Sequence, residues 1–317
     1  MRVARWPGRQ GPFSGRSVVT LGVFDGVHRG HAEVIGRVVS AARRRGCEAA
    51  VVTFDRHPTV LFDHRPAPAI TSLEHRIRLF EALGVDLCVV IEFSEAVAQM
   101  PAEEFARSVF HDLLGAELLV LGFDCRFGRD RQGDVELCRR LGPELGFEVE
   151  SVPAVELGGL PVSSTAIRLA VTEGRLDDAE SLLGRPFSLY GTVVRGEGRG
   201  RRIGFPTANL DPHNEILPPE GIYATWLFSI GPAPLPSVTS IGRKPTFPEA
   251  GQLEPLVEVH VIGHQLDLYG RDVEVQFVKR LRDQVAFAGA DALREQIGRD
   301  VEEARRVLGD GAGAQRG

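Results

Sequence analysis

Hydrophobic residues along this chain follow two regimes that meet near residue 184. Before it, short apolar runs alternate with longer stretches in which apolar residues return every three or four positions. Val18, Val19, Leu21 and Val23 form a β-rich run without charge, as a strand buried on both faces should read. Val34, Ile35, Val38, Val39 and Ala42 then recur at helical spacing, with Arg37 and residues Arg43 to Arg45 facing out. The alternation continues with strands over 49–54, 87–91, 117–121 and 147–152 and helices over 73–83, 101–114 and 135–145. Pro101 opens one of these helices, with Glu103 and Glu104 in its first turn. Repeated strand–helix units predict an α/β fold, a doubly wound parallel sheet of Rossmann-like kind, with ligands at the carboxyl ends of its strands.

Past Gly184 the sequence GRPFSLYG, with Pro186 and glycines at both ends, marks a domain boundary, and the period changes from helical to alternating. Strands over 191–194, 221–228, 238–241, 257–262 and 273–278, separated by Gly/Pro turns, predict an antiparallel β-barrel. Leu293, Ile297, Val301, Ala304 and Leu308 make one apolar stripe on a charged segment, a C-terminal helix that should pack on the barrel as a lid or brace. Two domains are expected, residues 1–184 and residues 185–317, each large enough for its own core.

Composition narrows the function classes. A hydrophobic share of 43% and a charged share of 25% are those of an ordinary soluble protein. A net charge of −6 gives no overall attraction to nucleic acid or an anionic membrane, so neither is expected as a partner. No apolar run approaches the ~20 residues of a membrane span. The N-terminal segment is basic but lacks the apolar core of a signal peptide. Cys47, Cys88, Cys125 and Cys138 form no C-x-x-C pair, so reduced thiols and a cytoplasmic location are expected.

Candidate chemistry begins where the first strand ends, in VVTLGVFDGVHRGH from Val18 to His31. A glycine-bearing turn leads from a strand into the N-terminus of a helix, where backbone N–H groups and the helix dipole suit a phosphate. His28 and His31 are three apart and could point the same way, with Gly30 between them permitting close approach of a ligand. A metal pair or two ordinary surface histidines are the plainer alternatives. TFDRHP (Thr53 to Pro58) reads as a turn, and GFDCRFGRDRQGD, from Gly122, as a polar loop too rich in Gly, Arg and Asp to be core. Both follow strands and should share a rim with the histidine turn. In VSSTAIR the hydroxyls of Ser163, Ser164 and Thr165 are good helix N-caps, and with Arg168 they offer a second phosphate grip. In the second half, GEGRGRRIGFPTANL reads as a phosphate-covering flap, or a solvated basic loop, with Arg199, Arg201 and Arg202 supplying charge. Thr207 and Asn209 share one side of an extended segment and could hold a hydrated Mg²⁺. Glu258 and His260 point away from Val257, Val259 and Val261, so Glu258 is either a solvent-facing residue or a proton acceptor for phosphoryl transfer.

GVFDGVHRGH resembles the signature of the nucleotidylyltransferase superfamily, and F-D-G-V-H-x-G-H is similar to that of the bacterial bifunctional riboflavin kinase/FMN adenylyltransferases, or FAD synthetases. S-S-T-x-I-R, G-x-G-R-G…GFPTAN, G-I-Y-A, S-I-G-x-x-P-T-F, V-E-V-H and D-L-Y-G extend the resemblance, in order, over residues 17–308. It implies phosphorylation of riboflavin to FMN in the C-terminal domain and adenylylation of FMN to FAD, with release of pyrophosphate, in the N-terminal one. ATP in the N-terminal domain would be held by Gly22, Phe24, Asp25, Gly26, His28, Gly30, His31, Ser164, Thr165 and Arg168, with His28, His31 and Arg168 catalytic. Flavin there would meet Pro58, Phe62, Asp124 and Arg126. ATP in the kinase domain would meet Gly198, Arg199, Gly200, Arg201, Thr207 and Asn209, with Thr207 and Asn209 serving Mg²⁺ and Glu258 acting as base. Arg56 stands where the family has proline, Cys125 where an aromatic is usual, residues 263–265 where D-F-D is usual, and Gln284 where Glu is common. Partners are then small molecules (ATP, riboflavin and FMN), and a homo-oligomer is compatible with the sequence. The rival readings are another H-x-G-H transferase with a different acceptor, a non-enzymatic flavin or nucleotide carrier, and a riboflavin kinase with an impaired adenylyltransferase domain.

Overall fold

The structure, a computed structural model, describes residues 1–317 apart from 9–12, 14, 59–66, 197–199, 201–203, 229–232, 246–252, 265 and 310–317. Two compact units result, one of Met1–Ala69 with Leu73–Ser164 and one of Ile70–Ser72 with Thr165–Gly317. Helices over Ser164–Thr172 and Leu176–Leu183 therefore group mostly with the second unit, because their apolar faces join the core of the barrel.

The first unit is built on six strands: β1 (Arg2–Trp6), β2 (Ser17–Leu21), β3 (Glu48–Phe54), β4 (Leu87–Ile91), β5 (Ala116–Gly122) and β6 (Glu148–Val152). Their order is β1-β4-β3-β2-β5-β6 and every pairing is parallel. β2 and β4 are buried at every residue, which is why they read as unbroken apolar runs. Helices α1 (Arg29–Arg45) and α2 (Leu73–Ala82) cover one face. The other is covered by α3 (Glu95–Ala98), α4 (Ala102–Phe105), a π-helical continuation Ala106–Leu113, and α5 (Val135–Leu145). Strand order reverses between β2 and β5, a topological switch point, and the turns after β3, β2 and β5 share the carboxyl rim as expected.

Several local features differ from the sequence reading. Arg2–Trp6, within the N-terminal segment that reads only as basic, is an edge strand; Ala4 is its one buried residue, so no apolar run betrays it. It is fixed by pairing with β4, by the ion pair of Arg2 with Glu48, and by the N-terminal ammonium on Glu81 at 3.0 Å. The segment 101–114 is α-helical for one turn and π-helical thereafter, and the wider turn lets both Phe105 and Phe110 pack on Phe127. Phe127 itself lies inside the loop read as too polar for core, yet is 4% exposed. A short hairpin of β7 (Glu156–Leu157) and β8 (Leu160–Pro161) turns through Gly158 and Gly159, both with positive φ (60° and 78°).

The second unit begins with α6 (Ser164–Thr172) and α7 (Leu176–Leu183) and closes a barrel of β9 (Ser188–Val194), β10 (Ala208–Pro212), β11 (Gly221–Phe228), β12 (Leu235–Pro245), β13 (Leu253–Val261) and β14 (Asp272–Arg282). All six pairings are antiparallel. β11 is buried on both faces because Tyr223 and Leu227 point into the barrel while Ile222, Ala224, Trp226 and Phe228 meet the C-terminal helix α8 (Ala290–Leu308). The helix is a brace, and one buried ion pair locks it. Arg282 donates from Nε to Asp300 Oδ1 at 2.8 Å and from Nη2 to Oδ2 at 2.7 Å, and Gln296 adds a third bond at 2.9 Å. Asp300→Ala should leave a largely buried guanidinium unpaired and destabilise the barrel by about 2–3 kcal/mol, a buried-pair cost discounted for the partial exposure of Arg282. Trp226, buried beneath α8, is one of two tryptophans, so its fluorescence in a Trp6→Phe background reports the loss as a lowered urea midpoint.

Candidate functional site

The histidine turn grows out of β2. The Gly22 N–H still donates to the Val52 carbonyl at 3.0 Å, and a Cβ on Gly22 would stand 2.9 Å from the Phe24 ring, which folds back over it. Phe24 (φ 54°) and Val27 (φ 41°) take left-handed backbone on either side of Asp25 and Gly26 (φ 82°). Such conformations cost a non-glycine residue on the order of 1–3 kcal/mol and persist only where the surroundings hold them. Here Val27 N–H donates to the Phe24 carbonyl at 3.0 Å, and the Phe24 ring packs edge-on to Phe80 at 5.7 Å and His31 at 5.2 Å. Asp25 is buried, and its carbonyl accepts a hydrogen bond from the Ser164 hydroxyl at 2.9 Å.

His28 is the N-cap of the 17-residue helix α1, its Nδ1 accepting from the His31 N–H at 3.3 Å. The two imidazoles stack at 3.5 Å with an interplanar angle of 17°. The three-residue spacing thus puts both rings together at the positive end of a helix dipole. With Nδ1 accepting, a neutral His28 carries its proton on Nε2, a donor suited to a phosphate oxygen. Gly30 does something the sequence did not suggest: a Cβ there would lie 3.2 Å from His28 Cε1, so this glycine makes room for the histidine ring. Thr165 and Arg168 lie one helical turn apart on α6 and count with the second unit.

The neighbouring turns complete the rim. Asp55 Oδ1 accepts from the backbone N–H groups of Arg56 (2.8 Å) and Phe93 (2.9 Å), while the Arg56 side chain is exposed and Pro58 half-buried. Phe62 lies outside the described residues. After β5, Asp124 and Arg126 are exposed, and Arg126 Nη1 donates to the Cys125 carbonyl at 2.9 Å. Cys125 packs down onto the sheet core with Sγ 3.6 Å from the Leu21 carbonyl, and burial pushes its thiol up to about 12. One residue escaped notice in the sequence, Arg76 on α2. It is 4% exposed and bonds to Val23, Thr53 and Phe54, at the ends of both turns. Its position on the apolar stripe of Leu73, Phe80 and Leu83 was the available signal.

A second cluster lies on the outer wall of the barrel. Asn209 on β10 pairs with Glu258 on β13, which pairs in turn with Ser240 on β12. Val257 and Val259 are 0% and 1% exposed in the barrel interior, so Glu258 and His260 face outward as the alternation predicts. Thr207 Oγ1 donates to Glu258 Oε1 at 3.4 Å, bringing Thr207, Asn209 and Glu258 onto one face. His260 donates from Nδ1 to the Pro206 carbonyl at 2.8 Å and meets the Phe205 ring edge-on, tying the FPT turn to β13. Gln284, where the family commonly has Glu, donates from Nε2 to Ser240 Oγ at 2.8 Å.

Gly198, Arg199, Arg201 and Arg202 lie outside the described residues, but Gly196 and Gly200 do not. A Cβ on Gly196 would overlap the Asn209 amide, and one on Gly200 would overlap the Phe205 carbonyl and stand 3.2 Å from Thr207 Oγ1. These glycines are therefore required by close approach to the two polar side chains. On the expectation that this face serves the kinase reaction, Gly196→Ala should displace the Asn209 amide and lower riboflavin phosphorylation by about 10–100-fold, since an ångström of misplacement costs that much. FMN adenylylation by the same variant should not change; both rates are read by chromatography of the flavin products.

Comparison with known proteins agrees with both halves. Residues 12–166 match the FAD synthetase family and residues 183–308 the riboflavin kinase family. Over 293 residues the chain is 39% identical to the bifunctional riboflavin kinase/FMN adenylyltransferase of Escherichia coli (strain K12), covering 92% of this chain and 93% of that one. The enzymes of the same name from Pseudomonas fluorescens and Bacillus subtilis (strain 168) are 37% and 35% identical; the first match covers 93% of this chain and 94% of the relative, the second 92% and 93%. The crystal structure of a protein named macrolide-efflux protein, from Streptococcus pneumoniae, has the same two-part fold, with a TM-score of 0.80 at 31% identity over 96% of this chain and 98% of that one. With a nucleotide-type turn at the sheet's switch point, a polar threonine–asparagine–glutamate face on the barrel, and matches of this length across both, this chain belongs to the bifunctional riboflavin kinase/FMN adenylyltransferase family.

Proposed function

We propose that within this bifunctional enzyme of flavin cofactor synthesis residues 185–317 phosphorylate riboflavin through Glu258, and residues 1–184 adenylylate FMN through the histidine turn. The observation that carries the first half is the shared face of Thr207, Asn209 and Glu258. Glu258 accepts the proton of the ribityl 5′-hydroxyl as its oxygen attacks the γ-phosphorus of ATP; the bond to the β-phosphate oxygen breaks and ADP leaves. A hydroxyl, an amide oxygen and an adjacent carboxylate, all half-buried with Gly196 and Gly200 packed against the first two, are hard donors that fit Mg²⁺ shared with substrate phosphates. Thr207 and Asn209 would hold the ion, which when bound would offset charge on the transferring phosphoryl group. Arg199 and Arg201 would add positive charge from the flap.

In the N-terminal domain a phosphate oxygen of FMN attacks the α-phosphorus of a second ATP, the α–β bridge breaks, and pyrophosphate leaves. His28 and His31 donate to the developing negative charge, and Ser164, Thr165 and Arg168 serve the departing pyrophosphate. Gly22, Phe24, Asp25, Gly26 and Gly30 shape the turn, while Pro58, Asp124 and Arg126 line the flavin side, to which the family resemblance also assigns Phe62. We place the enzyme in the cytoplasm, where its substrate ATP is made, with small molecules as its partners; among the described residues no helix is long and apolar enough to cross a membrane. The test is product analysis over time with riboflavin, ATP and Mg²⁺. FMN followed by FAD is expected. FMN that accumulates without FAD would assign the substitutions Arg56 and Cys125 a damaging effect on adenylylation.

A further inference from the structure

We propose that Arg76 is a positioning residue for adenylyl transfer, a buried guanidinium that holds the histidine turn and the TFDRHP turn in one fixed relation. The inference rests on the reading of this rim as the adenylyltransferase site. Arg76 Nη1 donates to the Val23 carbonyl at 2.6 Å and to Thr53 Oγ1 at 2.9 Å, and Nη2 donates to the Phe54 carbonyl at 3.0 Å. The Thr53 hydroxyl itself donates to the Val23 carbonyl at 3.1 Å, so that oxygen is gripped twice. Val23 immediately precedes the left-handed Phe24, and Phe54 immediately precedes Asp55, which organises the other turn. One planar fork therefore joins Val23, two residues past the end of β2, to Thr53 and Phe54, the last residues of β3, and the turns that follow face the nucleotide and the flavin.

Stability alone does not explain an arginine here. The guanidinium is desolvated, which pushes its pKa below the usual arginine value, and its Nε–H makes no hydrogen bond among the described residues. The acidic groups Asp25, Asp55 and Glu74 act on it through space, yet no carboxylate takes one of its hydrogen bonds among those described. An apolar side chain on the stripe with Leu73 and Phe80 would fill the site without burying a charge. What it could not do is hold two carbonyls, and with them the strained Phe24–Val27 turn, at set positions. Lysine could not either, because a single ammonium lacks the fork.

Arg76→Met and Arg76→Lys are compared with wild type for FMN adenylylation (kcat and both KM values), for riboflavin phosphorylation, and for the stoichiometry of binding of α,β-methylene-ATP. Arg76→Met should lose at least about 30-fold in kcat with each KM within about threefold, stoichiometric analogue binding and unchanged kinase activity. Arg76→Lys, which keeps the buried cation, should regain part of that loss yet stay at least about fivefold below wild type, and it carries the test if the methionine variant does not fold. Wild-type kcat in either folded variant would overturn the proposal, as would a fall in kcat matched by an equal fall in binding stoichiometry, which is what a merely structural role produces. His28→Asn, assayed alongside, separates the two claims: full FAD synthesis by that variant would remove the site itself, whereas its inactivity beside an active Arg76→Met removes only the role of Arg76.

Discussion

Glu258→Gln should lower the rate of FMN formation by about 10²–10⁴-fold, the usual contribution of a general base, while the same chain converts supplied FMN to FAD at its normal rate. Glutamine keeps the length and shape of the side chain and can still accept from the Thr207 hydroxyl, which lies 3.4 Å from Oε1. The pairing of β13 with β10 and β12 involves backbone only, so the barrel should fold unchanged. What is lost is the ability to take a proton from the ribityl hydroxyl. If Glu258 instead acted chiefly by holding Mg²⁺, raising the Mg²⁺ concentration would restore the rate, and the assignment as base would fail. Equal loss of both activities in a folded variant would sink the division of labour between the domains.

The barrel site was partly legible because alternation is a two-state code. Valines at 257, 259 and 261 can only be buried together, which sends Glu258 to the opposite face; the strand pairing then places Asn209 beside it. Burial likewise exposed β2 to β5, in which nearly every residue is buried and the sequence runs apolar. It failed for β1, where pairing along an edge leaves one fully buried residue, and for Phe127, a single core anchor within a polar loop. It also failed for Arg76. A charged residue on a helix is ordinarily read as solvent-facing, and only its two carbonyl partners, distant in sequence, turn it into a buried clamp. Glycines mislead in a different way: the sequence suggests Gly30 as clearance for a ligand and the segment of Gly196 and Gly200 as a phosphate-covering flap, whereas each of the three is pressed against a side chain of a candidate site. Close approach of backbone to side chain is a property of the folded arrangement, and no local pattern carries it.

His28→Asn should lower FMN adenylylation by about 10²–10³-fold, the loss typical of one donor to a developing anion, and leave riboflavin phosphorylation intact. Asparagine is chosen because the structural duty of His28 must survive. As N-cap, His28 accepts from the His31 N–H, and asparagine is among the best capping residues, so α1 should keep its start. The imidazole also stacks on His31 at 3.5 Å and is the nearest neighbour of a Cβ on Gly30. Its removal therefore opens space and takes away the Nε2 donor without straining the helix. A histidine that served only as a cap would be replaced at no kinetic cost, so normal FAD synthesis by His28→Asn would return it to a structural role. Loss of adenylylation with an unchanged melting temperature and unchanged kinase activity would place its donor on the reacting phosphate. Alanine at the same position removes cap and donor together, and the difference between the two variants, about 1 kcal/mol of stability, measures the cap alone.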